Sequence, residues 1–373
     1  MINVTQPKEA HMKTIILAGG GHAHLTILEK LSESPVPDTK WILISSDVYQ
    51  YYSGMFSGFI EGLYTLEEIR IDLRKLAFKA NCEFYEASVE KVDADNKTLI
   101  AGHNHLSFDL LSFDIGSHTA NPEIKGLAEY QTALKPAHLF PQFIQTLQDS
   151  KNVAIIGGGA AACEIALSLA AWKKEQHRKC DRISLVHSGE LLEAHGPKAR
   201  RLITERLNRS HIARYPNERA ALIKKETIYT NNHTEIPFKQ LIYLGGANAP
   251  EIFRKSGLTV NEDGFLSVNT MLQSIDAPFI FGAGDCASLT AYPDLEKNGV
   301  HAVRQGPILW HNLLAALNRQ PLKDYHPQNA SLAILSTGSK KGLWLHGNKA
   351  FYGTMVWHIK NNIDRRFIRR FKT

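Results

Sequence analysis

One pattern constrains what this chain can fold into more than any other: a short apolar run breaks into glycines, resumes as a helix-like pattern, and does so twice. The first copy is Lys13-Thr-Ile-Ile-Leu-Ala-Gly-Gly-Gly-His-Ala-His-Leu25, and the second is Asn152-Val-Ala-Ile-Ile-Gly-Gly-Gly-Ala-Ala-Ala-Cys-Glu-Ile-Ala-Leu167. Each reads as a strand, a tight turn and a helix. Glycines at such a turn admit a backbone approach that a Cβ would block, and the free N–H groups of the new helix point at a phosphate. A single copy reads equally well as a plain loop. The same unit repeated within 373 residues is far more specific and implies two dinucleotide sites.

The copies differ in detail. Gly157, Gly159 and Ala162 complete a GxGxxA pattern, whereas Gly19 and Gly21 fill only the first two positions and His24 stands where the third small residue belongs. The second strand of such a unit usually ends in an acid that binds ribose hydroxyls. Trp41-Ile-Leu-Ile44 ends instead in Ser45 and Ser46, whose hydroxyls can still bond a ribose. Arg182-Ile-Ser-Leu-Val186 ends in His187, which commits neither to NADH, favoured by an acid, nor to NADPH, favoured by an arginine. A third signal is Phe279-Ile-Phe-Gly-Ala-Gly-Asp285. This apolar strand would carry Gly284 and Asp285 to the carboxyl edge of a parallel sheet, where ligands bind.

Other stretches fill the plan. Tyr49 to Tyr64 mixes glycines with aromatics, which suits a loop against a flat ligand and equally a packed surface loop. Ile71 to Ala77 has the spacing of a short amphipathic helix, and Cys82 to Ile100 alternates like strands about an Asp-Asn turn. Phe108 to Ser117 is a strand closing on Gly116, echoed by Leu241 to Ala247. Gly299 to Leu317 has helical periodicity, with a kink expected at Gly306-Pro307.

Composition narrows the class. The hydrophobic fraction of 43% and charged fraction of 21% are those of a globular chain long enough for two or three domains. No apolar run reaches the ~20 residues of a membrane-spanning helix. The first eleven residues are polar and patternless and carry no secretory signal. Cys82, Cys163, Cys180 and Cys286 are scattered without metal-ligand spacing, which suits buried thiols in a reducing cytoplasm. No metal site is expected. The net charge of +6 is concentrated in the tail, where six basic residues from Lys360 onward face a single acid, Asp364. A near-neutral body with a basic end argues against general nucleic-acid binding and for contact with a local anionic surface.

Taken together, these motifs resemble the two-dinucleotide-domain flavoproteins of the pyridine nucleotide-disulfide oxidoreductase superfamily. The nearest likeness is to the NADH-dehydrogenase-like module found fused to selenophosphate synthetase. The strings that carry it are GGGHAHL, YSGMFSG with IDLRKLA, GGGAAACEIAL, FGAGDCA, NGVHAVRQGP and LSTG with IDRRFIRRF. The resemblance implies an α/β fold with two Rossmann-like domains, the second inserted in the first. The FAD-binding parts would be 12–120 and 263–340, the NAD(P)H-binding domain 121–262, and a C-terminal basic amphipathic segment 341–373. FAD would lie against Gly19, Gly21, His22, His24, Ser45, Ser53, Gly54, Gly116, Gly284 and Asp285. NADH or NADPH would lie at Gly157, Gly159 and Ala162. Hydride would pass from the nicotinamide to flavin N5, with Glu164 near the nicotinamide and Lys135 at a crossover near the flavin edge. Lys135 reads equally as a solvated hinge residue. His301 and Gln305 lie four apart on a helix aimed at the flavin, His301 as a proton donor or as a structural histidine.

The acceptor is open. The early CxxxxC of disulfide reductases is absent, and of the AQxAxQ quinone pattern only Gln305 remains. The tail spaces Met355, Ile359, Ile363, Phe367 and Phe371 four apart, which suits either a membrane surface, where quinones are found, or packing on the FAD domain. The leading expectation is an FAD-dependent NAD(P)H oxidoreductase with a small-molecule acceptor, a quinone among the candidates. It would be cytoplasmic, with the tail as its candidate membrane contact and a homodimer as one candidate assembly. The alternatives are a selenium- or sulfur-linked reductase and a non-catalytic flavin-binding redox sensor.

Overall fold

Two parallel five-stranded sheets carry the chain in a computed structural model that describes residues 12–119, 124–132, 140–178, 181–328 and 332–372. The first sheet has the order Ile280–Gly282, Leu110–Phe113, Lys13–Ala18, Thr39–Ser45, Glu83–Glu86. The second has the order Gln131–Thr132, Gln240–Tyr243, Asn152–Ile156, Arg182–His187, Ala213–Pro216. The apolar runs read from the sequence are their central strands, buried on both faces as parallel strands must be. Strand Ile280–Gly282 pairs with Leu110–Phe113, so the first sheet closes only after the chain has completed the second. The second unit is therefore inserted in the first. The two halves of the inserted connection meet where His118–Thr119 pairs antiparallel with Ala247–Asn248.

Local chemistry sets the ends of the elements. The helix expected from Ile71 begins later: Arg70–Asp72 pairs with Tyr49–Tyr51, and helix Leu73–Lys79 starts at Asp72, whose carboxylate caps the Lys75 N–H. Helix Gly299–Leu317 runs unbroken through Pro307. At its neighbour Gly306, a Cβ would lie 2.8 Å from Thr26 Oγ1 and 2.9 Å from Thr26 Cβ. Gly306 therefore lets this helix press against helix His22–Glu33.

The C-terminal segment is larger than its charge pattern suggests. Ala333–Ser336, Gly342–His346 and Lys349–Gly353 form an antiparallel sheet that straddles position 340. Leu335, Leu343 and Leu345 join the core of the second unit, while Ile368 and Phe371 join that of the first. Helix Thr354–Arg369 packs on this sheet and carries Ile368 into the first unit's core.

Candidate active site

The first glycine turn is organised around a side chain the sequence motif does not contain. Strand Leu110–Phe113 delivers Asp114, which is 3% exposed, to the start of helix His22–Glu33. Its Oδ2 accepts from Ala23 N at 2.7 Å and His24 N at 3.0 Å, while its backbone oxygen accepts from Gly21 N at 3.1 Å. A Cβ on Gly19 (φ +95°) would lie 2.3 Å from Asp114 O, on Gly21 2.2 Å from Asp114 Oδ1, and on Gly284 2.6 Å from the same oxygen. The glycines of two separate signatures thus converge on one buried carboxyl. Burial pushes it up to about 7, with the two N–H donors opposing and nearby Asp285 adding to the rise.

His24 is a structural replacement for the missing third glycine. It is fully buried, with Nδ1 2.6 Å from Gly19 O and Nε2 2.8 Å from Ser112 Oγ. Because a carbonyl only accepts, Nδ1 carries the proton. Burial holds the ring down to about 4, so it is neutral near pH 7.

The expected FAD residues gather at the carboxyl edge of the first sheet. Ser45 ends strand Thr39–Ser45, beside the glycine turn. Gly116 has φ +69° and nothing within 4 Å of a built Cβ, and its neighbour Ser117 donates to Asp285 Oδ2 at 3.4 Å. Gly284 N donates to Gln305 Oε1 at 2.7 Å. Gly284, Asp285, Lys297, His301 and Gln305 line one recess. His301 is buried with Nδ1 2.9 Å from the Tyr325 hydroxyl. Burial, helped by Arg304, holds its imidazole below the usual range, so near neutral pH it offers one N–H as a hydrogen-bond donor rather than an imidazolium proton. His22 begins the same helix as His24 and lies with its ring 5.7 Å from Tyr52 and 5.5 Å from Phe367, which stack on each other at 4.5 Å.

The second turn is open by contrast. Gly157 has φ +145°, and a Cβ there would lie 2.9 Å from Leu244 O and 3.4 Å from the Ala162 Cβ. The small residue at 162 is therefore a packing requirement. Gly159 starts helix Ala160–Glu175 with no side-chain cap, and a Cβ there would meet nothing within 4 Å. Packing does not demand glycine at 159, and the open turn leaves room for a diphosphate to approach. The residues therefore fit a dinucleotide at this turn. His187 ends the next strand with Nδ1 donating to Gly189 O at 2.7 Å and Nε2 buried without a hydrogen-bond partner among the described residues.

Glu164 sits on that helix where the two units and the tail meet. Its Oε1 accepts from Ser57 Oγ at 2.9 Å and Ser336 N at 2.7 Å and lies 4.0 Å from Lys360 Nζ. Lys360 also donates to Gly54 O and to Asp364 Oδ2, the latter at 2.7 Å, and the Tyr52 hydroxyl donates to Asp364 Oδ1 at 3.1 Å. Burial raises Glu164, Lys360 opposing. For Lys360, burial works against the charge, but Glu164 and Asp364 more than offset it and the ammonium is raised. Gly54 thus touches this network through its carbonyl, and Ser53 precedes it in the same turn, Ser53–Met55. Lys135 lies outside the described residues, as does Cys180.

Sequence reasoning missed Asp114, Lys360 and Asp364 as site residues. Asp114 was visible as a charge inside the apolar run Phe108 to Ile115, and Lys360 and Asp364 as an i,i+4 ion pair with Trp357 and Ile368 on their side of the helix. The tail also packs differently from its expected stripe. Its buried face is Val356, Trp357, Lys360, Asp364 and Ile368, while Met355, Ile359 and Ile363 are 74%, 47% and 47% exposed. Phe371 is buried beyond the helix end. The reason is that Lys360 and Asp364 find partners in the two units, at Gly54, Tyr52 and Glu164, and the helix turns toward them.

Two glycine turns on two parallel sheets, one unit inserted in the other, with a Gly-Asp strand closing the first, define a two-dinucleotide flavoprotein. Residues 13–312 match the pyridine nucleotide-disulphide oxidoreductase family, and the chain belongs to it. It is an FAD-dependent NAD(P)H oxidoreductase, resembling the type II NADH dehydrogenases. Ferroptosis suppressor protein 1 of Taeniopygia guttata is 27% identical over 221 residues, spanning 55% of this chain and 56% of that protein. Demethylphylloquinone reductase NdbB of Synechocystis sp. is 25% identical over 344 residues, 82% of this chain and 81% of that protein. The structure of NDH2 from Plasmodium falciparum in complex with NADH superposes with a TM-score of 0.81 at 13% identity, covering 96% of this chain and 97% of that one. No helix among the described residues is long and apolar enough to cross a membrane.

Proposed function

We propose that this enzyme passes electrons from NAD(P)H through FAD to a quinone-type acceptor at an anionic membrane surface on the cytoplasmic side. The observation that carries the reading is the tail helix. One of its sides lays Phe367 against Tyr52 and His22 at the first glycine turn, and Met355, Ile359 and Ile363 on the same helix stand in solvent. Arg366 and Arg369 near its end are exposed. An apolar stripe with flanking arginines suits insertion at the headgroup level, and it would hold the flavin unit close to a membrane-dissolved acceptor. The name of NdbB as a demethylphylloquinone reductase supports the same acceptor class.

Thiol chemistry is a poor competitor. Cys82, Cys163 and Cys286 are buried, and burial pushes each thiol up to about 12, which leaves no thiolate for a dithiol relay among the described residues. When bound, FAD accepts hydride from the nicotinamide and releases electrons to the acceptor. The chain's own part is to hold the two dinucleotides at its two glycine turns and to keep Glu164 fixed by Oε1 against Ser57, Ser336 and the tail's Lys360.

Stopped-flow mixing of the holoprotein with NADH or NADPH, followed by menadione, tests this. Loss of the flavin absorbance on mixing and its rapid return with menadione are expected. No reduction by either nucleotide overturns the oxidoreductase reading. Reduction without reoxidation by menadione overturns the quinone and leaves the selenium or sulfur acceptor suggested by the GGGHAHL and IDRRFIRRF strings.

A further inference from the structure

We infer that Asp114 is itself a cofactor-binding residue: it holds a proton on Oδ1 and donates it to the FAD diphosphate, so that loading the cofactor takes up one proton from solvent. This rests on FAD occupying the first glycine turn.

The geometry argues it in three steps. First, a helix N-terminus in a dinucleotide fold serves the diphosphate by its free N–H groups. Here two of them, on Ala23 and His24, are already bound by Asp114 Oδ2. Second, both N–H groups donate to Oδ2, which leaves Oδ1 to carry the proton. That oxygen lies between Gly21 and Gly284, closer than any Cβ on either would permit. It therefore fills the room that these two glycines leave, beside the turn taken by the cofactor in this reading. Third, an ionised carboxylate at that point would face the dianionic diphosphate across a dry site, and like charges in such a site cannot both persist. Protonated, the same carboxyl changes from a repelling charge to a donor.

The surroundings leave the proton little alternative. Helix His22–Glu33 presents His24, held neutral, and His22, which burial also holds below the usual histidine range. The turn after strand Ile280–Gly282 presents Asp285, a second negative group, and Cys286, a thiol pushed up to about 12. Helix Gly299–Leu317 presents Gln305, which does not titrate. Lys297 is the nearby cation, and burial lowers it. Asp114 already stands at about 7 without the diphosphate, and a dianion beside it raises it further.

The sign follows by linkage. A group that binds its proton more tightly in the loaded form makes loading favourable at low pH and weaker as pH rises through its unloaded value. FAD affinity of the apoprotein is therefore flat just below pH 7 and falls by up to about tenfold per pH unit above it. Protonation of His22 acts only below its usual pKa, outside that window. The test is FAD binding to apoprotein, followed by flavin fluorescence quenching from about pH 6 to pH 9, with calorimetry near pH 8 in two buffers of different ionisation heat. Wild type should take up about one proton per FAD near pH 8. Asp114→Asn, whose amide mimics the protonated acid, should bind FAD with no slope above pH 7 and take up none. His22→Gln should keep the wild-type slope. The inference is overturned if wild-type binding is level or tightens above pH 7, if no proton is taken up, or if Asp114→Asn keeps the slope. Wild-type protein that binds no FAD at any pH would instead sink the assignment of this turn to FAD.

Discussion

Lys360 on the C-terminal helix stands 4.0 Å from Glu164 on the helix of the second glycine turn, with its nearer bonds to Asp364 and to Gly54 of the first unit. One buried ammonium thus joins three parts of the chain. Replacing it by methionine leaves two buried carboxyls without their cation. Such a break costs about 3–5 kcal/mol, and Lys360→Met should lower the unfolding free energy by that amount near pH 7. Burial raises both Glu164 and Asp364, so acid neutralises them readily. The deficit should shrink between about pH 7 and pH 5, and denaturant titrations at the two pH values check it. An equal deficit at both would show that charge is not the cause.

Glycine substitutions should separate the two cofactors. In Gly21→Ala the new methyl would meet Asp114 Oδ1 at 2.2 Å, and the carboxyl cannot retreat without losing the N–H groups of Ala23 and His24. In Gly157→Ala the methyl would meet Leu244 O at 2.9 Å from a backbone at φ +145°. Each overpacking costs roughly 1–3 kcal/mol at its own turn. Gly21→Ala is expected to purify with little FAD. Gly157→Ala should keep its flavin spectrum and lose reduction by NAD(P)H roughly tenfold or more. Flavin content per chain and stopped-flow reduction distinguish the two, and loss of FAD from Gly157→Ala would contradict the assignment.

His24 links stability to pH. Its folded value near 4 lies below that of an unfolded histidine, so the unfolded chain binds the extra proton first. Stability from this residue is intact at neutral pH and is lost as pH falls from about 6.5 to 4, by up to about 1.4 kcal/mol per unit. His24→Gln removes that loss. Its own destabilisation, from the Gly19 and Ser112 bonds it disturbs, should therefore be largest near pH 7 and diminish toward pH 4. Parallel denaturation curves for wild type and variant at every pH would refute this account.

The exposed face of the tail can be tested without disturbing its buried face. Deleting the tail would remove Ile368, Phe371 and Lys360 from the interior, so surface changes are the cleaner probe. Met355→Ser, Ile359→Ser and Ile363→Ser together should leave the melting temperature nearly unchanged. Co-sedimentation with anionic liposomes should weaken by about tenfold or more, since each apolar side chain is worth roughly 1 kcal/mol or more when it enters the interface. Undiminished binding by the triple variant would remove the membrane reading of this helix.

Several elements were legible from local pattern because local pattern is what causes them. The doubly buried strands must be apolar without interruption, so Ile15 to Ala18 and Val153 to Ile156 announced themselves. Other features depended on partners distant in sequence. The Met355 to Phe371 stripe looked like one apolar face, yet Lys360 and Asp364 rotate the helix inward because Gly54, Tyr52 and Glu164 wait for them. The antiparallel sheet from Ala333 to Gly353 escaped notice because its strands are short.

By itself, the sequence determined that two strand–turn–helix units exist and that a Gly-Asp strand stands apart from them, since periodicity and glycine spacing are properties of neighbouring residues. Only the tertiary structure decided that Ile280–Gly282 returns to the first sheet, that His24 fills a glycine's place by bonding Ser112, and that Asp114 sits among Gly19, Gly21 and Gly284. The His24–Ser112 and Ala23–Asp114 contacts join residues 88 and 91 positions apart. The physical reason is burial: a charge or an imidazole inside the protein must find partners wherever the folded chain brings them.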